Sequence, residues 1–111
     1  MVIKKLKEFN NKTQFSYIYY FIILDEIWVS YVVKDFNCYT YTVFLFKQIN
    51  DDIYEKQFHN IPIDKRVLIE DLVEKCYKEI NGNLFLVSKT RFAYSDFKNY
   101  FRLAKFDMLC I

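Results

Sequence analysis

The sequence predicts an α+β fold: a largely antiparallel β-meander of four to five strands packed with two amphipathic helices in a single domain. Three observations lead there. Short runs rich in Tyr, Phe, Ile, Val, Thr and Trp follow one another in the first half of the chain, separated by turns too short to hold a crossover. Beyond residue 62 the apolar period lengthens from two to between three and four. Hydrophobic residues make up 53% of the 111 positions and charged ones 27%, the balance of a folded globular protein rather than a disordered one. A chain of this length buries roughly two-thirds of its unfolded surface around one core without disulfides or metals.

Taken in order, Val2, Ile3, Leu6 and Phe9 predict a short N-terminal helix. Residues 14 to 24, 27 to 34 and 38 to 49 read as three strands, broken at Asp25-Glu26 and at Asp35-Phe36-Asn37. A fourth, Ile53 to Phe58, follows the turn Asn50-Asp51-Asp52. In the first of these strands Phe15, Tyr17, Tyr19, Phe21 and Ile23 lie on one face and Ile18, Tyr20, Ile22 and Leu24 on the other. Both faces are apolar, so either helices cover both sides of the sheet or one side meets a partner. In IPIDKRVLIEDLVEKCYKEING, Leu68, Ile69, Leu72, Val73, Cys76 and Ile80 recur on one helical face. Asp64 is placed to cap its first turn, Ile63 to staple onto Leu68, and Gly82, the only glycine, to end it in a left-handed conformation. Leu84 to Val87 reads as another strand. SDFKNYFRLAKFDML reads as a second helix capped by Ser95, with Phe97, Tyr100, Phe101, Ala104 and Met108 on one face.

No segment reads as a membrane span. The longest apolar run, Phe15 to Leu24, stops at Asp25-Glu26, far short of the roughly 20 residues a spanning helix needs. One acid at a helix centre costs roughly 2.5 to 3.5 kcal/mol on insertion. The N-terminus MVIKKLKEFNNK lacks the apolar stretch of a signal peptide, and Cys38, Cys76 and Cys110 are odd in number with no C-x-x-C spacing. A reduced, cytoplasmic protein is expected, without disulfides.

Catalytic chemistry finds little support. A single glycine rules out phosphate-cradling loops, and no cofactor is expected. His59 is the only imidazole, so neither a zinc site nor a Cys-His nucleophile is indicated. The carboxylate pairs Asp25-Glu26 and Asp51-Asp52 fall in turns, where Asp is favoured for its backbone hydrogen bonding. A non-enzymatic protein without metal is therefore expected.

Two surfaces are candidates for binding. The first is the aromatic sheet, where Tyr17, Tyr19, Trp28, Tyr31, Tyr39 and Tyr41 provide large contact area with few rotors, suited to a protein partner or a second copy of the chain. A core of tyrosines with hydroxyls at its rim explains the same residues. The second is basic: Lys98, Arg102 and Lys105 at i, i+4 and i+7 form one helical stripe, with Lys89 and Arg91 upstream beside Phe92 and Tyr94. Such a mixture can follow a nucleic-acid backbone, although a solvated helix face explains it too. Lys, Asn, Ile, Tyr and Phe fill about half of the chain, while Gly, Ala, Arg and Pro together fill seven positions. That bias is the mark of A/T-rich codons and explains part of the aromatic content. With the small size, it points to a phage or mobile-element accessory protein that inhibits a host defence enzyme, such as a CRISPR effector, by direct binding.

Overall fold

Each strand expected from residue 14 onward forms, and each pairs with its neighbour in the chain. The computed structural model describes residues 1–87 and 92–109. Strands β1 (Ile3–Asn10), β2 (Gln14–Ile23), β3 (Glu26–Asp35), β4 (Thr40–Ile49), β5 (Asp52–Pro62) and β6 (Phe85–Leu86) make one antiparallel sheet in chain order. Helix α1 (Ile69–Lys78) lies between β5 and β6 in sequence, and α2 (Phe92–Leu109) follows β6. The α+β meander is as predicted, with one strand more than expected.

The extra strand is the N-terminal segment, where a helix was expected. Lys5 lies opposite Tyr19 and Lys7 opposite Ile18, so Leu6 is the additional residue of a β-bulge. Ile3 packs toward α1, whereas the bulge brings Leu6 and Phe9 to the α2 side. Apolar residues three apart are thereby produced by a strand.

The two helices cover opposite faces of the sheet, which accounts for the two-sided apolarity of β2. Under α1, Phe21, Trp28, Val32, Val43 and Leu45 pack against Leu72, Val73 and Cys76. The Trp28 indole stacks on Phe21 at 6.0 Å and receives Tyr77 edge-on at 5.3 Å. Under α2, Ile18, Val29, Phe46, Ile53 and Val87 pack against Phe97 and Phe101, and the Phe97 ring lies 3.7 Å from that of Phe46. Aromatic pairs of this kind add about 0.5–1.5 kcal/mol each beyond the area they bury. Tyr20, buried on the same face, donates its hydroxyl to the Asp107 carboxylate and ties α2 to the middle of β2.

Several local expectations are corrected. Asp64 does not cap α1: its Oδ1 accepts from the Arg66 backbone N–H at 3.0 Å, and the Arg66 guanidinium grips both of its oxygens. The carboxylate is used up in a turn upstream of the helix, held below the usual carboxylate range by Arg66. The helix instead starts after an extended Leu68, which is largely exposed and leaves Ile63 to pack on the core alone. Ser95 sits within α2, which begins at Phe92. The β2–β3 turn is Leu24-Asp25 rather than Asp25-Glu26, because Ile23 pairs with Glu26. Gly82 takes a left-handed conformation, at φ +78° just after Asn81 at +46°, but it does not end α1, which stops at Lys78 with Glu79 as its cap, so Gly82 serves the turn that follows.

Candidate functional site

The aromatic residues nominated as a binding surface are divided by the fold. Tyr17, Tyr19, Trp28 and Tyr41 are buried in the core under α1. Burial lifts the Tyr19 hydroxyl well above its ordinary value, with the Glu70 charge adding to it. Tyr31 is half-buried on the other face, near Phe97 and within 3.3 Å of the Ser16 hydroxyl. Only Tyr39 is exposed, in the β3–β4 turn with φ +56°. These side chains point to both faces and to one loop, so the fold does not assemble them into one patch. The physical reason is that α1 lays Leu72, Val73 and Cys76 across the face on which most of them stand.

The basic stripe fares differently. Lys98, Arg102 and Lys105 all line a groove of about 710 Å³ between α2 and the tips of the β2–β3 and β4–β5 hairpins, where Asp25, Ile27 and Ile49 form the facing wall. Lys89 and Arg91 lie outside the described residues. Arg102 donates to the Asn99 side chain at 3.2 Å, and no carboxylate among the described residues lies within ion-pair distance of the three cations. Glu26, at the groove's rim, is held by Lys47 at 2.9 Å. The stripe continues into apolar side chains: Leu103, Phe106 and Leu109 stand on the outer surface of α2, with Phe106 67% exposed.

Sequence reasoning missed the hairpin tip. Leu24 and Asp25 have φ +51° and +63° and are closed by the Ile23–Glu26 pair, which defines a two-residue type I′ turn. That turn prefers Asn, Asp or Gly, and a leucine held left-handed costs about 1–2 kcal/mol. Leu24 is moreover 90% exposed, so it recovers nothing by burial. The sequence signal was a leucine directly before an acidic turn, but only the strand register shows that it leads the turn.

His59, Cys38 and Cys76 stand apart from the groove, and Cys110 lies outside the described residues. His59 is exposed on β5 with Nε2 2.9 Å from the Gln57 side-chain oxygen. Cys76 is buried under α1, its thiol pushed up to about 11 by desolvation, a resting state unsuited to a nucleophile. Among the described residues, no cluster of three or more His, Cys, Asp or Glu could hold a metal, and no helix is long and apolar enough to cross a membrane. Comparison of the chain with protein families, with curated proteins and with solved structures found no match.

Proposed function

We propose that this is a non-enzymatic binding module that engages another protein through the α2 groove and the hairpin tips beside it. The observation that carries the reading is Leu24, an apolar side chain held out into water in a conformation it disfavours, next to a groove with three cations that have no ion-pair partner among the described residues. Strain with no packing return is retained where the residue meets something else. The half-exposed Ile49 on the neighbouring tip extends the apolar rim. A surface combining cations with Leu24, Ile49, Phe106 and Leu109 suits a partner segment that carries both acids and apolar anchors. The role of an accessory inhibitor of a host defence enzyme is consistent with such a module, and its support is the size and codon bias of the chain. Self-association through the same surface is the competing protein-binding outcome.

The three groove cations also favour a second reading, nucleic-acid binding along α2. Asp25 on the facing wall repels phosphate, which ranks it second. One experiment separates the readings. Wild type, Leu24→Gly and a Lys98/Arg102/Lys105→Glu triple variant are each used to capture partners from nuclease-treated lysate, with melting followed in parallel and sedimentation reporting self-association. The expected result is a protein retained after nuclease by wild type and lost by both variants with no loss of stability. Capture that vanishes with nuclease, or with a slope against salt that falls by about one for each cation removed, would overturn it in favour of nucleic acid.

A further inference from the structure

On the opposite flank of α2 from the groove lies a pocket of about 300 Å³ lined by Phe9, Ser16, Tyr31, Asp96, Phe97 and Tyr100 over a floor of Ile18. We infer that this pocket binds an organic cation of the alkylated-ammonium class, held by the aromatic walls and the Asp96 carboxylate.

The walls have the required geometry. The rings of Tyr31 and Phe97 lie 6.0 Å apart at 63°, and those of Phe97 and Tyr100 lie 6.0 Å apart at 58°. Rings set at such angles enclose a corner rather than stack closed, and a cation in the corner meets more than one π system at once. Phe97 is fixed from behind by its stack on Phe46. The Tyr31–Ser16 hydroxyl contact, at 3.3 Å, holds the second wall.

The charge has the required sign. Among the described residues Asp96 is the only carboxylate lining the pocket, and none of their cations lies within ion-pair distance of it. Its field reaches the walls: the Tyr100 hydroxyl is raised first by burial and then by the Asp96 charge. Among the described residues no cation sits over the rings of Tyr31, Phe97 or Tyr100, whereas Lys7 already stands 4.7 Å from the centre of the Phe9 ring at the mouth. The protein thus uses one rim ring as a cation platform, while Tyr31 and Tyr100 flank the buried Phe97 with no cation over them among the described residues. An alkylated ammonium loses less hydration on entering such a site than a bare one, so the trimethylated form is preferred to a lysine ammonium.

The test is a titration of the full chain with choline and with its neutral isostere, in which a quaternary carbon replaces the nitrogen, followed through the aromatic ring protons. A peptide carrying trimethyllysine is run beside its unmethylated form. Choline is expected to shift the Tyr31 and Tyr100 rings saturably, about tenfold more tightly than the isostere. Asp96→Asn is expected to remove most of that preference, and Tyr100→Leu to weaken choline, both with melting unchanged. Tighter binding of the methylated peptide than of choline assigns the cation to a modified protein side chain, and the reverse assigns it to a free small molecule. Equal binding of choline and isostere, or a preference that survives Asp96→Asn, overturns the inference.

Discussion

The two faces of the sheet are both closed by a helix, but they are finished differently. On the α1 side the helix turns Leu72, Val73 and Cys76 inward and shows water an almost wholly charged outer surface, with Lys78 near Glu74 at 3.5 Å. On the α2 side an equally buried inner row, Phe97, Phe101 and Ala104, is backed by an outer row that mixes Lys98, Arg102 and Lys105 with exposed Leu103, Phe106 and Leu109. Folding needs only the inner rows. The outer row of α1 does what solubility asks, while that of α2 keeps apolar surface and charge that stability leaves unused.

The contrast is broken most sharply by deleting an aromatic from each layer. Trp28→Ala, inside the α1 core, is expected to lower unfolding free energy by about 3–5 kcal/mol, whereas Phe106→Ala, on the outer row of α2, is expected to change it by less than about 0.5 kcal/mol and to weaken partner capture instead. Denaturant midpoints of the two variants check this, and similar losses would mean that Phe106 is core. Next in size is the tether of α2. Tyr20→Phe removes the hydroxyl that donates to Asp107 and is expected to cost about 1.5 kcal/mol. Burial, reinforced by that bond, pushes the Tyr20 hydroxyl up to about 12 from an ordinary value of 10.0. The folded state therefore holds this proton more tightly than the unfolded chain. Its contribution is whole below pH 10 and is lost as pH climbs toward 12, so the variant should show a flatter decline over that window than wild type.

Leu24→Gly reverses the usual sign. Relief of the left-handed leucine is expected to raise stability by about 0.5–1 kcal/mol while partner capture falls, and a variant that lost both would show that Leu24 packs against its own chain. Smallest of all, changing Lys98, Arg102 and Lys105 to Gln should move stability by less than about 0.5 kcal/mol each, because none of the three has an ion pair to lose among the described residues. A larger loss in thermal melting would place them in the structural half of the comparison.

What was legible in the sequence was local. The three central strands and their order follow from alternation and from turn residues a few positions apart, and the face of α1 follows from its spacing. The N-terminal strand was illegible because a bulge at Leu6 imitates helical spacing, and its partner β2 comes later in the chain. Asp64 and Ser95 carry the right chemistry for caps, yet Arg66 captured the first and α2 starts before the second. The same division runs through the site. The Lys98, Arg102, Lys105 stripe could be seen because it repeats within one helix, whereas its facing wall of Asp25, Ile27 and Ile49 depends on strand register. Tyr19 and Trp28 read equally well as interface or core, since coverage by α1 is a tertiary fact.

The chain-order sheet also bears on how the protein is made. From β1 to β5 each strand closes on the one just synthesised, across a loop of a few residues, so this part of the sheet can zip up hairpin by hairpin at little entropic cost, while β6 joins β5 only after α1 has been made. Helix α2 is synthesised after every strand, and until it docks, Ile18, Val29 and Phe46 form a finished but uncovered apolar floor. A chain whose sheet has formed before α2 docks remains in that state, where chaperone capture competes with aggregation for the waiting surface.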